Sequence, residues 1–164
     1  MRDILASGGS GPRILAESQH LPQENRATGS ATVAAMHPVV GAAIVRDGRV
    51  LAARRTRPAA AAGRWEFPGG KVEGAESPDA ALVREIGEEL GCVVKVERWL
   101  DGSAAIGTTH ELTVAVVRII EGEPVPHEHD AVQWLRADEL DDVDWLEPDR
   151  PFLTELAELL RAST

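Results

Sequence analysis

Between residues 70 and 92 the chain reads GKVEGAESPDAALVREIGEELGC, and this stretch admits few local structures. Ser77 is a residue type that caps helices through its hydroxyl. Pro78 suits the first helical position, where a missing N–H costs nothing, and Gly91 suits a left-handed stop. A helix over residues 78–90 follows. At about 100° per residue, Leu82, Ile86 and Leu90 form an apolar stripe, and Glu85, Glu88 and Glu89 share an arc of roughly 100° beside it. The stripe demands a second layer to cover it. The glutamates repel one another across successive turns and lower the stability of the helix. Hard carboxylate oxygens grouped this way suit Mg²⁺ or Mn²⁺. A solvated acidic face is the competing explanation, because glutamate-rich helix faces are common.

Strands supply the missing layer. HPVVGAAIVR over 37–46 is apolar enough for a buried strand. Asp47-Gly48 is a hairpin signal, and RVLAARR follows as the returning strand. WEFPGGKVE reads as a strand running into a Gly-Gly turn, ELTVAVVRII as a strong strand and AVQWLRA as a shorter one. ADELDD predicts a helical turn. A second helix is expected over 151–161, where Pro151 opens a segment with Phe152, Leu153, Leu156, Leu159 and Leu160 at helical spacing. Strands interleaved with two substantial helices predict an α/β or α+β sandwich. Residues 1–36 are rich in Ser, Gly, Ala and Pro without sustained periodicity. They are expected to be a flexible extension, which leaves residues 37–164 as the folded domain.

Composition narrows the partners. The formal net charge is −10, which disfavours nucleic-acid polymers because these need basic surfaces. A small anion is still compatible with it if metal ions stand between carboxylates and phosphates. Cys92 is the one cysteine, so no internal disulfide forms and a cytoplasmic location is the default expectation. No apolar run reaches the length of a membrane span, and the N-terminus lacks the layout of a secretory signal.

Eight residues of the acidic segment, Gly70, Glu76, Arg84, Glu85, Ile86, Glu88, Glu89 and Gly91, stand in the register of the Nudix box. The chain therefore resembles the Nudix hydrolases over about residues 37–161. Cys92 replaces the usual branched residue at the end of the box and packs as a small hydrophobe. The resemblance implies a Nudix fold, with a mixed β-sheet sandwiched between α-helices. It also implies a Mg²⁺-dependent hydrolase, with Mn²⁺ as a possible substitute. The metal ligands would be Glu85, Glu88, Glu89, the backbone carbonyl of Gly69 and, outside the box, Glu128. Glu89 or Glu128 would serve as base. Arg84 would hold the loop and the carboxylates, with Gly70, Glu76 and Gly91 as structural positions. Lys71 either touches phosphate or balances local charge.

GRWEFPGGKVE, EGEPVPHEHDAVQWLRADEL and WLEPDRPFL resemble the MutT-like branch, and within it the CTP pyrophosphohydrolases. By that likeness Arg55 contacts the nucleotide and Asp149 reads the base. An ionised Asp accepts hydrogen bonds only. It would therefore select base edges bearing donors, as in cytosine, guanine and 8-oxoguanine. The expected reaction converts a (d)NTP and water to a (d)NMP and pyrophosphate, on (d)CTP or on oxidised nucleotides such as 8-oxo-dGTP, in nucleotide-pool sanitation. Two other readings stand beside it: a Nudix hydrolase of ADP-ribose or another nucleoside diphosphate derivative, and a non-catalytic nucleotide-binding module. Intact Glu85, Glu88 and Glu89 argue against the module. His127 and His129 are expected to be structural rather than acid–base groups. Trp65 and Trp145 either stack on a base or pack in the core. The expected partner is a small-molecule nucleotide, with no nucleic-acid polymer and no membrane, and the chain would be a monomer or a homodimer.

Overall fold

The strand expected over 37–46 is β1, His37–Arg46, and it lies in the middle of the sheet. A computed structural model describes residues 35–163, so the extension expected over 1–36 lies almost wholly outside the described residues. β1 turns back into β2, Arg49–Arg54, through Asp47 and Gly48. Both turn residues are left-handed, at φ 52° and 68°, as a two-residue type I′ hairpin requires.

The segment WEFPGGKVE, expected as one strand running into a Gly-Gly turn, holds two strands. β3 is Trp65–Glu66 and β4 is Gly69–Lys71. Phe67 and Pro68 separate them because the chain changes partners there: β3 pairs with β2, and β4 pairs with β1. Helix α1 spans Pro78–Leu90, as its caps predict. Ser77 accepts a hydrogen bond from the Ala80 N–H, and Gly91 ends the helix at φ 67°.

Two strands were not legible in the sequence, β5, Val93–Trp99, and β6, Ala104–Ile106. β5 ends the main path of the sheet and carries Lys95, Glu97 and Arg98, so its apolar pattern is diluted as edge strands usually are. β7, His110–Glu121, runs parallel to β1, and β8, Ala131–Leu135, pairs with β2. The expected helical turn is a 3₁₀ turn at Leu140–Asp142. The final helix opens as a 3₁₀ turn, Arg150–Phe152, and becomes α2 over Leu153–Ala162.

The main path through the eight-stranded mixed sheet is β3-β2-β1-β7-β5. Alternation along the central strands divides the core in two. Ala42, Ile44, Leu51 and Ala53 face α1, where they meet Leu82, Ile86 and Leu90. Ala43, Val50 and Ala52 face the other way, against Phe67, Trp145, Phe152, Leu156 and Leu160. Both faces of β1 are buried, which is why its sequence is a continuous apolar run. Among the described residues no helix is long and apolar enough to cross a membrane.

Candidate active site

The acidic face of α1 lies against β4, and two glycines allow the approach. A Cβ on Gly70 would sit 2.3 Å from the Glu85 carboxyl carbon, and one on Gly69 would sit 2.0 Å from the Val40 carbonyl oxygen. Only glycine fits where backbone and carboxylate come this close.

Arg84 binds the loop to the helix. Its guanidinium donates to both Glu76 oxygens (2.7 and 3.2 Å), to Glu85 Oε1 (2.9 Å) and to the Lys71 carbonyl (3.1 Å). Such fork-like pairing fixes direction as well as distance. The Arg84 hydrogen bond holds the Glu76 carboxyl below its ordinary range.

The three box glutamates differ sharply in burial. Glu89 is 8% exposed, and its Oε2 accepts the Gly69 N–H at 2.9 Å. The Glu85 side chain is 15% exposed and the Glu88 side chain 60%. Burial pushes the Glu89 carboxyl up to about 7; the nearby charge of Glu66 adds to this, while His129 and the Gly69 N–H partly offset it. As placed, no three His, Cys, Asp or Glu side chains among the described residues stand close enough to hold a metal ion. The donor set nevertheless fits a hard divalent cation: all are oxygens, and the buried Glu89 carboxyl has no cationic hydrogen-bond partner among the described residues. The exposed carboxylates, Glu88 and Glu128, are the ones able to turn inward toward it.

Glu128 reaches this region because its loop closes the end of α1. Val125 N–H donates to the Leu90 carbonyl, His127 N–H to the Glu89 carbonyl and the His127 Nδ1–H to the Glu88 carbonyl. These are carbonyls that a helix C-terminus leaves unpaired. His127 is thus structural, as expected.

His129 is buried, and its Nε2 lies 2.9 Å from Glu66 Oε1. Burial works against its charged form, but the Glu66 hydrogen bond and the charges of Glu89 and Glu66 outweigh that and raise its pKa. Its Nδ1 is buried with no hydrogen-bond partner among the described residues. Glu66 also accepts Arg55 Nη1 at 2.7 Å. Sequence reasoning missed Glu66 as a site residue. The available signal was a charged residue between Trp65 and Phe67, which has to find partners once the strand is buried.

Arg55, Glu66 and Glu89 join two cavities. The larger, about 390 Å³, is walled by Phe67, Ile106, Leu112, Leu146 and Asp149, with Lys71 at its Gly69–Gly70 side. The smaller, about 110 Å³, is polar and takes in Arg57, Glu128 and His129.

Asp149 is 4% exposed, and its Oδ1 accepts the Phe67 N–H at 2.9 Å. Its side chain makes no capping bond to the turn it begins. Burial pushes its carboxyl up to about 8, with the Phe67 N–H partly offsetting this. Burial therefore favours the neutral form, which carries a donor O–H, over the ionised form expected from the sequence. Trp145 is fully buried on Phe67 and donates its indole N–H to the Leu140 carbonyl, and Trp65 packs beneath the Arg54 guanidinium. Neither lines the larger cavity.

These pKa values set an expectation for stability. The folded chain holds protons on Glu89 and Asp149 more tightly than the unfolded chain does, whose carboxyls titrate near ~4. Their contribution to stability is then greatest below that range and falls as pH rises from it to about 7 and about 8. Without divalent cations, Tm should drop by on the order of 10 °C between pH 5 and 9. Glu89→Gln and Asp149→Asn should each flatten part of the slope. A Tm that climbs over this interval would contradict the burial argument.

Comparison with known proteins agrees with this geometry. The NUDIX domain family matches residues 35–156. A Mycobacterium tuberculosis protein provisionally named 8-oxo-dGTP diphosphatase 2 is 46% identical over 129 residues, covering 76% of this chain and 91% of the relative. The CTP pyrophosphohydrolase of Escherichia coli is 41% identical over 106 residues, covering 63% and 78%. The solution structure of the E. coli ORF135 protein superposes with a TM-score of 0.65 at 36% identity, covering 78% of this chain and 92% of that one. With box, sheet and helices in the same arrangement, the chain belongs to the NUDIX domain family and is a Nudix hydrolase of the MutT-like group.

Proposed function

We propose that the protein is a Mg²⁺-dependent nucleoside triphosphate pyrophosphohydrolase. It splits a (d)NTP with water into (d)NMP and pyrophosphate and acts on (d)CTP-type or oxidised substrates such as 8-oxo-dGTP. One observation carries this reading: the larger cavity has the buried carboxyl of Asp149 on one wall and Glu89, at the end of the carboxylate helix, on another. A base placed against Asp149, Phe67 and Leu146 directs its phosphates toward Glu89. The names of the two relatives cited above, an 8-oxo-dGTP diphosphatase and a CTP pyrophosphohydrolase, support both substrate classes.

Glu85, Glu88, Glu89, Glu128 and the Gly69 carbonyl would hold the metal, Mg²⁺ or Mn²⁺. When bound, the cation spreads transition-state charge and lowers the pKa of water. Arg84 keeps Glu85 and the Glu76 loop in place. Glu89 or Glu128, on the walls of the same small cavity, accepts the proton of the attacking water. Lys71 has no ion-pair partner among the described residues, which supports a phosphate contact.

A substrate panel with pyrophosphate detection, with and without Mg²⁺, tests the proposal. Pyrophosphate released from CTP, dCTP or 8-oxo-dGTP only when Mg²⁺ is present is the expected result. Turnover of ADP-ribose alone, with AMP as product, would replace it with the diphosphate-derivative reading. No turnover of any nucleotide would leave the binding module.

A further inference from the structure

Arg55, at the end of β2, was expected to contact the nucleotide, but its guanidinium is already engaged. Nη1 donates to Glu66 Oε2 at 2.7 Å, and Nε donates to the Arg57 carbonyl at 2.8 Å. The second bond fixes the backbone two residues along. Thr56 adds another tie, its hydroxyl donating to the Glu128 carbonyl at 3.2 Å. The loop is thus fastened both to β3 and to the segment carrying Glu128.

What this fastening presents is Arg57. Its guanidinium has no hydrogen-bond or ion-pair partner among the described residues, whereas neighbouring Arg54 and Arg64 pair with Asp130, Asp144 and Glu147. Arg57 lines the small polar cavity beside Glu89 and Glu128. In a chain of net charge −10, an arginine unpaired among the described residues, lining a cavity with Glu66, Glu89 and Glu128, is a cation left available. Guanidinium pairs with phosphate oxygens through two parallel hydrogen bonds.

Position selects which phosphates. The small cavity meets the larger one at Arg55, Glu66 and Glu89. A nucleotide with its base beside Asp149 and its first phosphate at Glu89 extends its remaining phosphates into the small cavity. We propose that Arg57 is the residue that binds the terminal phosphates of a nucleoside triphosphate, and that Arg55 positions it through the Arg57 carbonyl. This assignment rests on the pyrophosphohydrolase reading for its substrate. It predicts more than that reading does, because Arg57 sets the preference for triphosphates over monophosphates.

Calorimetric titration with Mg²⁺ tests it, using inorganic pyrophosphate, CMP and the α,β-methylene analogue of CTP on wild type, Arg57→Ala and Arg57→Lys. Arg57→Ala should weaken pyrophosphate and the analogue about tenfold. CMP affinity and Tm should stay unchanged, since the side chain is exposed and unpaired. Arg57→Lys should recover most of the loss, because it restores the charge. Pyrophosphate affinity that survives Arg57→Ala, an equal loss for CMP, or a wild type that binds no pyrophosphate would each overturn the assignment. If pyrophosphate binding falls in Arg57→Ala while wild type shows no preference for any base, Arg57 keeps its role and only the nucleotide preference fails.

Discussion

Glu89→Gln should lower kcat by about 10²–10⁴-fold while the protein stays folded. The amide keeps an oxygen that can accept the Gly69 N–H, so β4 remains docked on α1. What it removes is the buried negative charge that a divalent cation would complete. Glu88→Gln should cause a loss of similar order for the same reason, although Glu88 is exposed and contributes little to packing. The two variants should differ in metal-free stability. Glu89→Gln should raise Tm above pH 7, where wild type carries the cost of an ionised buried carboxyl. Glu88→Gln should leave Tm nearly unchanged. Pyrophosphate release, Mg²⁺ titration and melting curves on both variants read these effects. Near-normal turnover in either one would remove it from the metal site.

The second large effect concerns the base. Asp149→Ala should lower kcat/KM for the preferred nucleotide by about 1–3 kcal/mol, the scale of a lost buried hydrogen bond to a charged or polar partner. It also strands the buried Phe67 N–H, so Asp149→Asn is the cleaner variant. Its amide keeps an acceptor for Phe67 and offers a donor to the base. Because burial pushes the wild-type carboxyl up to about 8, its neutral form can turn an O–H toward the carbonyl acceptors of UTP or dTTP at lower pH. Above pH 8 the ionised group accepts only, and facing acceptors repel. The ratio of kcat/KM for CTP to that for UTP should therefore rise with pH through about 8 in wild type and stay flat in Asp149→Asn. Measurements on CTP, dCTP, 8-oxo-dGTP, dGTP, UTP and dTTP at pH 6.5 and 9 provide the check. Equal losses across all six nucleotides at both values would make Asp149 a support for Phe67 and no reader of bases.

Most of what the sequence alone determined is local. The bounds of α1 came from Ser77, Pro78 and Gly91, because caps act on backbone groups within one turn. The hairpin came from Asp47-Gly48, because left-handed φ is a property of those residues themselves. Helical spacing placed Glu85, Glu88 and Glu89 on one face, and the apolar runs in 37–46 and 111–120 placed the central strands. Tertiary structure decided what depends on partners distant in the chain. It divided WEFPGGKVE between two neighbouring strands, and it made a strand of residues 93–99, whose polar edge positions blur the alternation. It also graded the three glutamates from buried to exposed, although their helical spacing is regular. Arg55 became engaged by Glu66, eleven residues away, and burial raised the pKa of Asp149 against the opposing pull of the Phe67 N–H, 82 residues away. The protonation and availability of a side chain depend on what desolvates and pairs with it. In this fold those neighbours come from strands and loops that the chain brings together only when the sheet closes between its two helices.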